Sequence, residues 1–498
     1  MSTKVGDRIK EMVKSFLDIK EPQRISINIE QLYNLESMFF VNDLWYRGQA
    51  NELQDFYEQL DDHMGNNSFW ASKPTESFNI RKTHSGLPFL IVEMLVNIMT
   101  NDMTEIDVEG NRQEDWDKIA KDNHFERILK SSIRGILVKG DGAFKISYDT
   151  DVSQYPIIEW WDGDSVDFEI KRGRIVACIF ISKIKCGNKE YLLKERYHKK
   201  GIEYSLWKDD KQVDFPAELE EYKNNLINQN EFIMAVPVKY GSSRLFDGRG
   251  EGVINSKIQQ FDKLDETISL WRLANRKGQI KTYIPENLLP VHSDGSHRGL
   301  NYFDNDFILT ESEVREGVEP KITTSRAEIP AEELLSAYCT DLDACLCGLI
   351  SPSTLGIDVK KLDNAESQRE KEKTTMYTRG QLVAIYQEVL PVLVNAVLKT
   401  YDTYNHKEIS DVNVDINFGE YANPSFEAVV ETMSKARGAG NSVISVEAQV
   451  DELWGDAKDE DWKKQEVVRL KEEMGIMSSS EPAVNDEMLL DDEIIVNE

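Results

Sequence analysis

The sequence predicts an α+β fold, and three observations support this prediction. Up to about residue 133, apolar residues recur at spacings of three and four, which indicates amphipathic helices. From Gly135 to Trp207, apolar and polar residues alternate between turn-forming stretches, which predicts an antiparallel β meander. Later in the chain, the two patterns Pro330–Ile350 and Asn364–Thr400 are helical again, and both are long.

The first part of the chain is predicted to be mainly helical. A break in the second helix is expected at Gly48, because glycine commonly ends a helix. The last of the four helices has a core face that includes Trp116, Ile119 and Phe125. The predicted helices span Val5–Leu17, Ile29–Leu60, Pro88–Met99 and Glu114–Ile133.

The alternating region is predicted to contain seven strands followed by one short strand at Pro237-Val238. Gly140-Asp141-Gly142 is interpreted as a hairpin turn rather than as a fragment of a phosphate-binding loop. The seven strands are Ile136–Val138, Ala143–Tyr148, Ile157–Trp161, Val166–Ile170, Ile175–Ile184, Tyr191–His198 and Ile202–Trp207.

A helical pattern at Glu251–Lys277 precedes a segment of strand-and-turn character, Gln279–Ala327, and a second helix at Pro330–Ile350 follows it. Gly278 is expected to end the first helix. Two helices that flank an insert of this kind are expected to run antiparallel, with the insert at their tip.

Ser351-Pro352 is predicted to end the helix Pro330–Ile350, because the residue before a proline is disfavoured in the helical region. The next helix, Asn364–Thr400, is charged in its first half and apolar in its second, and about 35 residues span roughly 50 Å. Pro391 lies inside the pattern and is expected to bend the helix.

After this helix, Val412–Phe418 is predicted to be a strand that returns to the earlier sheet. Three short helices are predicted at Ser425–Arg437, Ser445–Leu453 and Asp459–Met474. From Ser478 onward the tail holds seven acidic residues and no basic residue, a composition that predicts disorder.

The net charge of −30 argues against a protein that wraps DNA tightly, because affinity for phosphates comes mainly from Lys and Arg. It is compatible with a protein past which DNA slides, and also with a charge that serves solubility alone. The five cysteines lack zinc spacing and are predicted to be reduced thiols without a metal. The most apolar run, Leu87–Met99, is too short to span a bilayer, so the chain is predicted to be soluble.

Motifs of catalytic chemistry are missing from the sequence. It contains no Gly-Lys dipeptide and therefore no P-loop. The acidic run that begins at Asp162 has Gly173 where a calcium-binding EF-hand requires Glu. Ser353, Thr354 and Lys360 lack the partners of a catalytic triad. We therefore predict no enzymatic activity and no cofactor.

The order of several stretches resembles that of the portal proteins of tailed bacteriophages, in particular long-tailed phages of Gram-positive hosts. The stretches are Gly140-Asp-Gly-Ala-Phe-Lys145, Leu264-Asp265-Glu266-Thr-Ile-Ser269, Leu349-Ile-Ser-Pro-Ser-Thr-Leu-Gly356 and Asn364-Ala-Glu366. The resemblance covers nearly the whole chain. It implies a ring of identical subunits, usually twelve, at one capsid vertex, through which DNA is packaged and later ejected.

The resemblance also implies a role for each part of the chain. In order, these are a wing (1–250), a first stem helix (251–277), a clip (278–329), a second stem helix (330–350), a channel loop (351–363), a kinked helix with a returning strand (364–424), a crown (425–476) and an acidic tail (477–498).

The resemblance places DNA-facing residues in the channel loop, docking residues in the clip, and the helix kink at Pro391. The loop residues are Ser353, Thr354, Leu355, Gly356, Ile357, Asp358, Val359, Lys360 and Lys361. The clip residues are Lys281, Tyr283, Glu286, Asn287, His292, Asp294, His297 and Arg298. The two lysines suit weak, sequence-independent phosphate contacts, although they also fit an ordinary solvated pair before a helix.

The implied partners are further copies of the chain, double-stranded DNA, the terminase large subunit, a head-completion adaptor, and the major capsid and scaffolding proteins, with no membrane. The implied location is the portal vertex of the virion, after assembly in the host cytoplasm. Two alternatives remain open at this point: another ring-forming head–tail connector component, and a nucleic-acid-processing enzyme.

Overall fold

A computed structural model describes most of the chain. The described residues are 34–64, 68–73, 80–101, 103–187, 189–209, 211–223, 226–227, 232–279, 281–285, 307–310, 323–325, 328–357, 365–419, 445–454 and 460–473. The chain forms two units, Met1–Gly419 and Glu420–Glu498. The helices predicted at Val5–Leu17 and Ser425–Arg437 and the tail from Ser478 lie outside the described residues.

The first unit begins with helices α1 (Leu35–Arg47) and α2 (Ala50–Met64). Gly48 ends α1 in a left-handed conformation with φ 63°, so the predicted break is confirmed. The Asn34 side chain caps the start of α1 by accepting the Ser37 amide at 2.8 Å. Helix α3 (Leu87–Asn101) follows, and most of its apolar residues are buried in the main core.

The region predicted as one helix over Glu114–Ile133 contains two, α4 (Gln113–Asp122) and α5 (Phe125–Lys139), separated at His124, where φ is 50°. The strand predicted at Ile136–Val138 is wrong, because these residues form the last turn of α5. All three are buried. A short apolar run buried on several sides has the same pattern in a helix as in a strand, so packing decides between them.

The hairpin turn predicted at Gly140-Asp141-Gly142 is also wrong. Gly140 ends α5 with φ 95°, and Asp141 begins strand β2. A side chain at position 140 would lie within 2.8 Å of the Gly250 backbone, and one at position 142 would meet the Trp160 ring. The two glycines therefore permit close packing where the helix enters the sheet.

The predicted meander is divided into two antiparallel sheets. In the first, β2 (Asp141–Ser147) lies between β3 (Ile157–Asp162) and β10 (Ala235–Lys239). The second sheet follows chain order from β4 to β8, and a short strand β9 pairs with β7. Its strands are β4 (Val166–Lys171), β5 (Arg174–Cys186), β6 (Lys189–His198), β7 (Gly201–Lys208), β8 (Lys211–Val213) and β9 (Leu226–Ile227).

The strand after the long helix was predicted to return to the earlier sheet, and this prediction is wrong. Strand β14 (Val414–Phe418) pairs with β1 (Met103–Val108) in a separate two-stranded antiparallel sheet. Strand β1 was not predicted from the sequence, because only Ile106 and Val108 alternate within its six residues. Asn395 fixes the approach to β14, because its side chain both donates to the Val412 carbonyl and accepts the Val412 amide at 2.9 Å.

Helices α6 (Ile258–Lys277) and α7 (Ala331–Leu346) form an antiparallel hairpin. Lys257 Nζ reaches the Cys347 carbonyl at one end, and Gly278 lies against Ile329 at the other. The described residues of the insert between the two helices form three short strands, with β11 in the middle. They are β11 (Lys281–Pro285), β12 (Phe307–Thr310) and β13 (Thr323–Ser325).

The first helix of this hairpin begins at Ile258, later than the Glu251 predicted from periodicity. The preceding residues are held by other parts of the chain. The Gly250 amide donates to Asp141 at 2.8 Å, and the Val253 amide donates to the Leu137 carbonyl at 2.8 Å. These bonds tie the backbone before α6 to the start of β2 and the end of α5, and the regular helix begins only after them.

Helix α8 (Ala365–Tyr404) contains Pro391 in its interior. From Leu382 onward it contributes buried side chains to the main core, among them Tyr386 and Leu393. The segment Lys373–Tyr404 has the length and hydropathy of a membrane span, properties that a core helix shares. The bend at Pro391 stays a prediction.

The second unit contains two described helices, α9 (Val446–Trp454) and α10 (Glu460–Glu473), which agree with the predicted Ser445–Leu453 and Asp459–Met474. They pack against each other as an antiparallel pair. The rings of Trp454 and Trp462 lie 5.5 Å apart, and Lys463 pairs with Asp451 at 2.8 Å.

A buried arginine joins the two larger sheets to the chain that leads into the hairpin. Arg249 Nη2 donates to the Asp141 carboxylate at 2.8 Å and to the Gly163 carbonyl at 2.7 Å. Its Nη1 donates to the Val166 carbonyl at 3.0 Å. Arg249 is 6% exposed and Asp141 is fully buried, so water cannot replace either partner.

We expect Arg249→Ala to lower the free energy of unfolding by about 3–5 kcal/mol, because it leaves the Asp141 carboxylate buried without its cation. Urea unfolding followed by tryptophan fluorescence measures this change. Arg244→Ala is the matched control, since Arg244 makes an ion pair with Glu251 while 71% of its side chain is exposed. A shift in the control as large as that in Arg249→Ala would contradict the assignment.

Candidate functional site

The residues predicted to face DNA follow α7 directly. Gly348, with φ 78°, lies just after this helix, and the chain then passes over α8. The Ser351 amide donates to Thr375 Oγ1 at 2.9 Å, and the Thr378 hydroxyl donates to the Leu349 carbonyl at 2.6 Å. The first half of the predicted channel loop is therefore held against α8.

The described part of the loop presents different residues outward and inward. Ser353 and Gly356 are exposed, whereas Thr354 and Ile357 are half-buried. Leu355 is 9% exposed and packs into the main core, so within this subunit its side chain contributes to packing. The remaining predicted loop residues, Asp358, Val359, Lys360 and Lys361, lie outside the described residues.

Of the residues predicted to dock partners, Lys281 and Tyr283 lie in β11. Tyr283 is half-buried and pairs with Ile308 on one side and Thr323 on the other. The other predicted docking residues, Glu286, Asn287, His292, Asp294, His297 and Arg298, lie outside the described residues. Because α7 has 16 residues, about 24 Å separates the insert from the loop.

The two hairpin helices are joined through Asp341 of α7, which is 4% exposed. Its carboxylate accepts the Thr267 hydroxyl at 2.6 Å and lies 2.8 Å from Lys263 Nζ. The hydrogen bond from Lys263 to the Asp341 carboxylate raises the pKa of Lys263. The rings of Trp271 and Tyr338 meet nearer the insert, with centroids 5.9 Å apart.

The two cysteines near the end of α7 lie in different surroundings. Cys345 is buried and Cys347 exposed. Burial raises the pKa of Cys345 to about 12, which keeps its thiol protonated and weakly nucleophilic near neutral pH. Within the described ranges, no group of three or more His, Cys, Asp or Glu side chains is placed to hold a metal ion.

The other face of α6 holds a distant segment of the chain through Asp265. This fully buried carboxylate accepts the Ser85 amide at 2.8 Å and lies 2.7 Å from His84 Nδ1. The Trp70 indole also donates to it, at 3.2 Å. Asp265 belongs to the stretch Leu264–Ser269, and its contacts give that stretch a structural role within the subunit.

Asp262, one turn earlier on α6, anchors the start of the same segment. Its carboxylate accepts the Ser68 hydroxyl at 2.8 Å and the Phe69 amide at 2.9 Å. Burial raises the pKa of Asp262, although these donors oppose the shift. Sequence reasoning could not find these anchors, because His84 and Asp265 are 181 positions apart.

Comparison with known proteins gives distant structural neighbours only. No family model and no curated protein matches the chain. The virion of a native gene transfer agent particle contains a similar chain, with a TM-score of 0.36 and 13% identity over 74% of this chain and 89% of the other. A chain in the neck of the native particle, computed with C12 symmetry, is also similar, with a TM-score of 0.35 and 12% identity over 74% of this chain and 89% of the other. So is a chain in the neck of the empty particle, computed with C6 symmetry, with a TM-score of 0.35 and 11% identity over 73% of this chain and 88% of the other.

We expect Asp265→Ala to release the segment that ends at Ser85, because the Ser85 amide and the Trp70 indole lose a buried acceptor. Trypsin should then cleave after Arg81 and Lys82 roughly ten times faster than in the parent chain. Limited proteolysis with mass identification of the fragments measures this rate. Glu266→Ala is the matched control on the same helix, and its cleavage rate should stay near the parental value.

Proposed function

We propose that this chain is the subunit of a phage portal. In this proposal, identical subunits form a dodecameric ring at one capsid vertex, and DNA passes through the centre of the ring during packaging and ejection. The observation that carries the proposal is the antiparallel hairpin α6–α7 with its β-strand insert, which leads through a short loop into α8. This order of elements is the one expected for stem, clip, stem, channel loop and connecting helix.

The physical features of the hairpin and loop support this role. A hairpin held to the sheets at Arg249 and to the segment before α3 at Asp265 is a rigid strut, and copies of it side by side would line a channel. The loop that follows presents the exposed hydroxyl of Ser353 and, at Gly356, a backbone without a side chain. Contacts of this kind to the phosphate backbone are independent of sequence. The net charge of −30 would keep DNA from adhering elsewhere.

The proposed partners follow from the same order of elements. The insert would dock the terminase large subunit during packaging and the head-completion adaptor afterwards. The major capsid and scaffolding proteins would surround the ring at the vertex, after assembly in the host cytoplasm. The chain itself would perform no chemistry.

Electron microscopy of the purified, negatively stained protein, together with mass measurement of the particle, tests ring formation. We expect rings of about a dozen subunits with a central hole, the assembly that the resemblance implies. A closed dimer without a channel would contradict the proposal. Nuclease or ATPase activity of the purified chain would contradict it as well.

We expect the double variant Lys360→Ala, Lys361→Ala to form normal particles but to retain less packaged DNA, because each subunit loses two cations beside the phosphates. The measurement is the DNA content of purified particles before and after incubation at raised salt concentration. Lys199→Ala, Lys200→Ala is the matched control, since this second Lys-Lys pair lies in the exposed turn between β6 and β7. Equal DNA content in both double variants would refute a role for the loop lysines.

A further inference from the structure

One buried hydroxyl of α8 contacts two points of the loop. Thr375 is fully buried, and its Oγ1 accepts the Ser351 amide at 2.9 Å. The same oxygen lies 3.1 Å from Thr354 Oγ1. Thr375 therefore bridges the first residue of the loop and its central turn.

The contacts continue as a chain of hydroxyl groups toward the surface. Thr354 Oγ1 lies 2.8 Å from Ser351 Oγ, which in turn lies 2.8 Å from Ser353 Oγ. The Ser351 amide can only donate, so Thr375 Oγ1 accepts that bond, and either hydroxyl can donate in the contact between Thr375 and Thr354. Successive hydrogen bonds of this kind polarise and strengthen one another. The chain thus connects a buried helix position to the exposed Ser353.

Water is a poor substitute for Thr375 at this place. Ser351 is 1% exposed, so its amide would stay buried without an acceptor if the Thr375 hydroxyl were removed. A tight turn follows Ser351 directly, in which the Leu355 and Ile357 amides both donate to the carbonyl of the next residue, Pro352, at 3.1 and 3.0 Å. A loosened Ser351 would release this turn.

We infer that Thr375 is the positioning residue of the loop. Its hydroxyl fixes the conformation in which Ser353 and Gly356 face outward while Leu355 packs inward. The positioning is a property of the single subunit. Its consequence for DNA rests on the proposed portal function, in which these outward groups meet the phosphate backbone.

The test compares Thr375→Val, which keeps the shape of the side chain and removes the hydroxyl, with Thr375→Ser, which keeps the hydroxyl. Hydrogen exchange of the peptide that spans residues 349–357 is measured by mass spectrometry on the full chain. We expect exchange to be roughly ten times faster in Thr375→Val, because a buried amide loses its acceptor. Thr375→Ser should restore slow exchange.

Two further variants complete the experiment. Thr374→Val, the same substitution one position earlier on α8, should leave exchange unchanged. Thr354→Val interrupts the hydroxyl chain from the loop side, where the residue is half-buried and the core is spared. It should speed exchange by less than Thr375→Val, because the Ser351–Thr375 bond remains. Unchanged exchange in both Thr375→Val and Thr354→Val would overturn the inference.

A second measurement separates this inference from the proposed function. DNA retention is compared in particles assembled from Thr375→Val and Thr375→Ser subunits. Faster exchange together with weaker DNA retention, both restored by serine, supports the inference and the portal role of the loop. Faster exchange with unchanged DNA retention supports Thr375 as the positioning residue and counts against a DNA-facing role for the loop.

Discussion

The buried pair of Arg249 and Asp141 is the constraint on which the arrangement of the first unit depends. The guanidinium donates to groups at the start of β2, in the turn after β3 and in β4, and it lies 4.8 Å over the Phe168 ring. Burying two charges costs more free energy than hydrophobic packing of the same volume, so a pair of this kind is better understood as a fixed joint than as a source of stability. It sets where the chain leaves the sheets, and therefore where the α6–α7 hairpin begins.

The sequence predicted local features of the fold, but not those that depend on contacts between distant residues such as Asp141 and Arg249. Periodicity located most helices and strands, because their signals are local. Gly140-Asp141-Gly142 was wrongly predicted to be a hairpin turn, because the partner of Asp141 is Arg249, 108 positions further along the chain. The end of α5 was mistaken for a strand for a related reason: buried Ile136–Val138 carries no polar face to reveal the period. Strand β1 was missed because its apolar alternation is short, and its pairing with β14 becomes visible only in the structure.

For the candidate loop, too, the sequence predicted the local break between helices but not the contacts with α8. A break between two helices was predicted here and is found, but α7 already ends at Leu346, before the left-handed Gly348, so the predicted end at Ile350 before Ser351-Pro352 is wrong. The hydrogen bonds between the loop and α8 could not be predicted from the sequence, because Thr375 and Thr378 look like ordinary polar residues in a charged helical segment. Hydroxyl groups that pair with one another are recognisable only when the two segments are seen together. The anchoring role of Asp265 could not be predicted for the same reason.

Helix α8 joins the loop to the core, and this restricts how the loop can move. Thr375 and Thr378 hold the loop at one end, while Tyr386 is fixed in the core by its contact of 2.8 Å with the Ser132 hydroxyl. About 16 Å separates Thr375 from Tyr386 along the helix axis, and a continuous α-helix is stiff over this distance. Pro391 lacks an amide hydrogen, so a bend there would break no backbone hydrogen bond of its own. However, Pro391 lies beyond Tyr386, on the side away from the loop. A bend at Pro391 would therefore reach the loop only if the Tyr386 contact moved with it, and movement of the loop alone requires the bonds to Thr375 and Thr378 to break.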